Sequence, residues 1–167
     1  MVPVPVNVKP AEFCKFIKKM LRIRTKVKIN NQHNSISLEN PRVFTTGSQK
    51  NVAENVGPQN TRTIAFRGNF AIKGAIVYEI QNVTQKPHYL VITWAVKGWL
   101  RCGKNSVTCH VLNNLDDEPL EQLYKQLHTR QNRQYVGANA VPMHQFAYRI
   151  SGGISNGANA EIAITLQ

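Results

Sequence analysis

Side chains that could perform acid–base or nucleophilic chemistry are few and scattered in this sequence. The 167 residues include nine carboxylates, and the only two aspartates, Asp116 and Asp117, are adjacent. No Gly-x-Ser-x-Gly, His-Glu-x-x-His or phosphate-cradling glycine loop is present, so the common hydrolase and phosphotransferase patterns are missing. The five histidines lack metal-ligand spacing. We therefore expect no catalytic residues, no metal site and no cofactor.

The cysteines leave two interpretations open. Cys14, Cys102 and Cys109 are an odd number without Cys-x-x-Cys spacing, which does not suit the disulfide framework of a small secreted domain. Cys102 and Cys109 could pair across a hairpin in an oxidising compartment. Free, buried thiols are the alternative.

The chain carries a strong excess of positive charge. Lysine and arginine number 21 against nine acidic residues, for a formal net charge of +12. A field of this sign favours a polyanionic partner, either an anionic membrane surface or nucleic acid. No apolar run of about 18 residues is present, so no ready-made membrane-spanning helix is expected.

A cationic amphipathic helix is predicted near the N-terminus, over residues 10–23, after an extended leader at residues 1–9. Between residues 9 and 28, eight lysines and arginines accompany one glutamate, a composition that suits a helix at a membrane interface. The simpler interpretation is that its apolar stripe packs on the rest of the protein, and membrane insertion would be an additional role. The stripe has helical spacing and consists of Phe13, Phe16, Ile17, Met20 and Leu21.

Residues 24–167 are predicted to form strands and turns. Hydrophobic and cationic residues alternate from Ile23 to Ile29, which is typical of a half-buried strand. Turn signals then recur at intervals that suit an all-β sandwich. The later predicted strands are Ser35–Leu38, Arg42–Thr46, Thr61–Phe66, Ala75–Gln81, Tyr89–Val96, Ser106–Leu112, His144–Ser151 and Glu161–Leu166. Residues expected in or beside the core are Val27, Ile29, Phe44, Ile64, Ile76, Val91, Tyr148 and Ile164.

A second helix is predicted near residues 117–128. Asp116 or Asp117 could cap its N-terminus, and Pro119 suits its first turn. The predicted fold class is therefore all-β dominated: one domain over residues 1–167, built as a β-sandwich flanked by two short α-helices.

Several segments, taken in order, resemble the actinoporin-like family of sea-anemone pore formers and their vertebrate, mollusc and plant relatives. After the first helix they read VKINN, LENPRVFTTG, FAIKGAIVYEI, YLVITWAVKGW, LEQLYKQLHT and FAYRISGGISNGANAEIAI. The resemblance covers roughly residues 11–166, and the order and spacing of the segments carry it. It implies a β-sandwich with two helices and a phosphocholine pocket lined by exposed aromatic rings. It also implies an N-terminal helix that inserts into the bilayer and oligomerises into a cation-conducting pore.

The resemblance implies a lipid-headgroup site at one end of the sandwich. The hydroxyl before the glycine of NPRVFTTG is Thr46, and the headgroup-contacting tyrosine of the second helix is Tyr124. The loop at residues 97–105 keeps Trp99 and carries Arg101, and His128 stands where many relatives have an aromatic residue. We expect these five side chains to lie together.

The loop at residues 97–105 is more cationic and less aromatic than the corresponding loop of the family. It reads KGWLRCGKN, with Arg101 and Lys104 in a loop where relatives stack several aromatic rings. Fewer rings weaken the attraction for choline, which is about 0.5–2 kcal/mol per ring. Cationic side chains suit phosphate groups and anionic lipids instead. Membrane lipids are therefore the expected partners, with anionic lipid favoured and phosphocholine headgroups as the second option.

Two other kinds of partner are weighed against lipids. Fungal fruit-body lectins resemble this sandwich, so a carbohydrate-binding, lectin-like module that recognises glycans is the alternative function. Nucleic-acid binding is disfavoured because it would depend on charge alone, without an RNP-like or Gly-x-x-Gly motif.

The resemblance also implies homo-oligomers on membranes, but helix length argues against efficient perforation. Residues 10–24 as a helix would span about 22 Å, against a hydrocarbon core of about 30 Å. Pro3, Pro5 and Pro10 oppose extension toward the N-terminus. We expect membrane binding with weak or absent lytic activity, or a pore that differs from the one usual in the family. The resemblance implies secretion or membrane association, whereas the lack of a visible signal peptide leaves the cytosol as a second location.

Overall fold

The computed structural model describes residues 10–81, 88–98, 104–132, 134–135, 150–155 and 157–167. They form two packed five-stranded sheets with two helices, so the predicted fold class is confirmed. The helices are α1 (Pro10–Met20) and α2 (Leu120–Leu127). The strands are β1 (Arg22–Asn31), β2 (Ser37–Thr45), β3 (Ser48–Gln49), β4 (Asn60–Asn69), β5 (Ala71–Gln81), β6 (His88–Lys97), β7 (Ser106–Leu112), β8 (Gln134–Tyr135), β9 (Ile150–Ile154) and β10 (Asn159–Leu166).

The ten strands are distributed equally over the two sheets. Sheet A has the strand order β3-β4-β1-β10-β9, and sheet B has the order β2-β5-β6-β7-β8. In the described part of the chain, β1 and β10 pair in parallel and the other neighbouring strands pair antiparallel. This arrangement places β1, the strand that follows α1, at the centre of sheet A.

The alternation predicted for β1 is seen in its burial. Residues with odd numbers face the sandwich interior and those with even numbers face solvent, because successive side chains of a strand point to opposite sides. The outer face of sheet A therefore carries four exposed cations in a row: Arg22, Arg24, Lys26 and Lys28.

The predicted core residues are largely where they were expected. Val27, Ile29, Ile64, Ile76 and Ile164 lie fully buried between the sheets. A second hydrophobic cluster, formed by Val77, Val91 and Leu123, lies between sheet B and α2. Phe44 is half-buried and contacts the ring of Tyr124 at a centroid distance of 6.0 Å. Tyr148 lies outside the described residues.

Trp94 is a core residue. Its side chain is fully buried, and its ring packs against Phe66 with centroids 5.1 Å apart. A Cβ atom at Gly74 would lie 2.3 Å from the Trp94 ring, so the close approach of this ring to β5 requires glycine.

Both predicted helices are longer than the observed ones. α1 ends at Met20 because Arg22 and Ile23 already pair with Asn69 and Gly68 of β4. α2 begins at Leu120, after an extended Pro119 at the N-cap position without a side-chain cap. The predicted capping by Asp116 or Asp117 is therefore wrong.

The strand boundaries differ most at β2. The two strands predicted at Ser35–Leu38 and Arg42–Thr46 are one strand with an irregular register between Glu39 and Arg42. Asn40 has a φ of 50° within this irregularity, a left-handed conformation that asparagine tolerates better than most residues. The predicted strand at His144–Ser151 falls mostly outside the described residues.

Candidate functional site

The apolar stripe of α1 is covered only in part. Phe13 and Phe16 are 42% and 44% exposed, whereas Ile17 and Leu21 are half-buried. Met20 belongs to the last turn of α1, and its side chain lies outside the described part of the structure. One residue separates α1 from β1, which is held at the centre of sheet A. The expectation that this stripe packs on the rest of the protein is therefore not met for its two aromatic members.

The helix leaves the sandwich at a junction built from three segments. The backbone N–H of Phe70 donates to the carbonyl of Leu21 at 3.2 Å, and the N–H of Gly98 donates to the carbonyl of Phe70 at 2.8 Å. A Cβ atom at Gly98 would lie 2.9 Å from that carbonyl oxygen, so glycine is required for this approach. The junction thus joins the end of α1 to the β4–β5 turn and to the end of β6.

Phe70 is a third exposed aromatic residue, at the point where α1 meets the sandwich. Its side chain is 49% exposed, and its φ of 65° turns the chain sharply between β4 and β5. Gly68-Asn69 is a turn signal in the sequence, but the phenylalanine beside it was not among the predicted site residues. The clue in the sequence was an aromatic residue beside a turn signal, because aromatic rings are more commonly found in the core than in a turn.

Neither helix in the described part of the chain is long and apolar enough to cross a membrane.

Three of the predicted headgroup residues lie in the described structure. The Thr46 hydroxyl accepts a hydrogen bond from the backbone N–H of Lys73 at 2.9 Å. Tyr124 and His128 are nearly covered, at 8% and 4% exposure, and their rings stack with centroids 4.9 Å apart. Trp99 and Arg101 lie outside the described residues. The clustering of all five side chains therefore remains a prediction.

His128 belongs to a buried polar layer between α2 and sheet B. Its Nδ1 lies 2.6 Å from the Thr93 hydroxyl, and its Nε2 lies 2.9 Å from the Ser106 hydroxyl. Thr93 also contacts the Thr108 hydroxyl at 2.7 Å. Burial lowers the pKa of the neighbouring His110, which keeps that ring neutral near pH 7. These contacts give His128 an evident role in holding the C-terminal end of α2 on sheet B.

The two described cysteines differ in accessibility. Cys14 is an exposed free thiol on α1, whereas Cys109 is a free thiol packed against the core. Burial raises the pKa of the Cys109 thiol to about 12, so it stays protonated and unreactive at neutral pH. The predicted alternative of a Cys102–Cys109 pair is therefore not seen, since Cys109 is free, and Cys102 itself lies outside the described residues.

Comparison with known proteins gives a structural likeness. No protein-family model and no curated protein matches the sequence. Among solved structures, the chain is similar to a crystal structure of the lipid binding protein Nakanori. The TM-score is 0.63 at 14% sequence identity, over 94% of this chain and 76% of that chain. The chain therefore shares the fold of this protein, which supports the resemblance to the actinoporin-like family at the level of the fold.

Proposed function

We propose that the protein binds lipid membranes at their surface, through α1 and the sandwich end that carries Phe70, with a preference for anionic lipids. The observation that carries the proposal is the exposure of Phe13 and Phe16 on a helix whose remaining face is cationic. A surface helix of a globular protein usually buries such a stripe. An interfacial helix instead places it about 5–10 Å deep at the boundary between headgroups and acyl chains.

Charge supports the preference for anionic lipid. In the described structure, the two ion pairs join Arg62 to Glu54 and Lys125 to Glu121, so no cation of β1 takes part in one. Glu161 is the strand partner of Lys26 and is the carboxylate that β10 places beside this row. Each such cation near an anionic surface contributes about 1 kcal/mol, screened beyond roughly 10 Å at 0.1 M salt. The lipid-binding character of Nakanori, a protein of the same fold, gives the proposal further support.

The proposed attachment is interfacial rather than perforating. The 11 residues of α1 correspond to a helix about 16 Å long, roughly half the thickness of a hydrocarbon core. Vesicles that bind the protein should therefore retain an encapsulated dye, and efficient leakage at nanomolar protein would contradict this part of the proposal.

A fluorescent probe on α1 tests the proposal directly. Cys14 is exposed and borders the apolar stripe, so it can be labelled with an environment-sensitive dye in a Cys102→Ser background. We expect the emission to shift to the blue and to intensify when anionic vesicles are added, because the dye leaves water for the membrane interface.

The matched control carries the same dye at an exposed position outside α1. Val52 is 78% exposed on the segment after β3, so the dye can be placed there as Val52→Cys in a Cys14→Ser/Cys102→Ser background. Its spectrum should stay unchanged. If the protein sediments with vesicles while the Cys14 probe shows no shift, α1 is not the element that contacts the membrane.

A further inference from the structure

The outer face of sheet A contains a pocket of about 320 Å³ beside the start of β1. Its volume lies at the small end of the range for small-molecule sites, about 300–1,000 Å³. The polar side chains that line it come from β1, β3 and β4: Arg22, Arg24, Ser48, Arg67 and Asn69.

Strand register explains why these side chains meet. Arg24 and Arg67 are direct partners across the antiparallel β1–β4 pair, and Ser48 is the partner of Arg67 on the other side. Arg22, two residues before Arg24, is the partner of Asn69. Directly opposed residues have Cβ atoms about 4.5–5.5 Å apart. The three arginine side chains therefore leave the backbone from adjacent positions on one face of the sheet.

This arrangement has an electrostatic cost in the free protein. Like charges placed directly opposite on a sheet are destabilising. All three arginines are exposed, and neither ion pair of the described structure involves them. Residues 22–24 and 67–69 therefore form a cationic site whose arginines take part in neither ion pair of the described structure.

We infer that this pocket binds a compact ligand with two or more phosphate monoester groups, such as a phosphorylated inositol ring. Guanidinium groups form bidentate hydrogen bonds with phosphate oxygens, and lysine cannot reproduce that planar geometry. Three converging arginines match several phosphates on one small ring, and Ser48 and Asn69 add polar groups. None of the residues that line the pocket is aromatic, which disfavours single-stranded nucleic acid because such sites stack bases on aromatic rings.

The ligand could be a free inositol phosphate or the headgroup of a phosphoinositide lipid. Binding of the soluble form needs no membrane, so it can succeed or fail independently of the proposed membrane attachment. Titration of the full chain with soluble inositol trisphosphate tests the pocket itself. Vesicles of phosphatidylcholine with and without phosphatidylinositol bisphosphate then show whether the lipid form also binds.

Two variants separate a built site from general charge attraction. R24Q/R67Q should weaken inositol trisphosphate binding by about a hundredfold, since two charge-assisted contacts are lost. R24K/R67K keeps the charge but loses the bidentate geometry and should weaken binding by about tenfold. The matched control, R42Q/K73Q, removes two exposed cations outside the pocket and should bind nearly as the original chain does.

Thermal unfolding provides the folding control, because R24Q/R67Q removes an opposed pair of like charges and should not lower the melting temperature. The inference is overturned if inositol trisphosphate does not bind at 0.1 M salt or if R24Q/R67Q and R42Q/K73Q bind it equally. It is also overturned if R24K/R67K binds as the original chain does. Tighter binding of a single-stranded oligonucleotide at the same residues would assign the pocket to nucleic acid instead.

Discussion

Replacing both exposed phenylalanines of α1 by aspartate, F13D/F16D, is expected to weaken binding to anionic vesicles by at least about a hundredfold. Full burial of a phenylalanine side chain contributes about 1.5–3 kcal/mol, and each 1.4 kcal/mol is a factor of ten in affinity. Both rings are already partly buried in the free protein, so the membrane adds less than their full burial. The two new carboxylates add repulsion from an anionic surface. Vesicle sedimentation over a range of lipid concentrations measures the change.

The control for this variant is V52D, which introduces aspartate outside α1 at the most exposed large hydrophobic residue of the described structure. V52D should bind vesicles with nearly unchanged affinity. The sandwich should be intact in F13D/F16D, because the two rings lie on a helix that makes little contact with it. If F13D/F16D and V52D sediment equally with vesicles, α1 is not part of the membrane-binding surface.

Asn31→Asp is expected to destabilise the fold by about 4 kcal/mol or more at neutral pH. Asn31 is fully buried at the end of β1, and its Nδ2 donates to three carbonyl oxygens: Ile36 at 2.7 Å, Gly57 at 3.0 Å and Val56 at 3.3 Å. Its Oδ1 accepts from the backbone N–H of His33 at 3.1 Å. A carboxylate there would face three acceptors without a donor to offer, and a buried, unpaired charge is among the most destabilising changes.

The pH dependence of this variant has a definite sign. Burial raises the pKa of a carboxyl group at position 31 above the ordinary value of about 3.9. The loss in free energy of unfolding should therefore be smallest at low pH and grow as the pH rises above about 4. Chemical denaturation at several pH values measures it.

Asn30→Asp is the matched control for Asn31→Asp. The Asn30 side chain is half-buried, and its Oδ1 accepts from the Thr61 hydroxyl at 3.0 Å, a role that a carboxylate can keep. It should change stability by less than about 1 kcal/mol, as surface substitutions usually do. Equal stability of the two variants would mean that Asn31 does not organise this end of sheet A.

The local alternation of hydrophobic and polar residues predicted the strands of this fold well, because the two faces of each strand differ in burial. The alternation around Val27 identified the inward side of β1, and the core positions Ile29, Ile64 and Ile164 followed from the same logic. Element ends were harder, since pairing with β4 decides where α1 stops and a proline conformation decides where α2 starts.

The candidate sites were harder to predict because they depend on long-range register and on exposure. Alternation shows that Arg24 faces outward, but only the β1–β4 register brings it opposite Arg67, 43 positions later in the chain. Helical spacing showed the apolar stripe of α1 but not that Phe13 would remain uncovered. The resemblance implied a role for His128, whose ring the structure places in a buried polar layer.

Sedimentation with vesicles of two compositions tests membrane binding most directly. We expect the protein to sediment with equimolar phosphatidylcholine and phosphatidylserine at 0.1 M salt, and binding to weaken sharply at 1 M salt, where the screening length is about 3 Å. Sedimentation with phosphatidylcholine alone should be much weaker. Absence of binding to the anionic vesicles, or tight and salt-insensitive binding to purely zwitterionic ones, would contradict the proposed membrane binding.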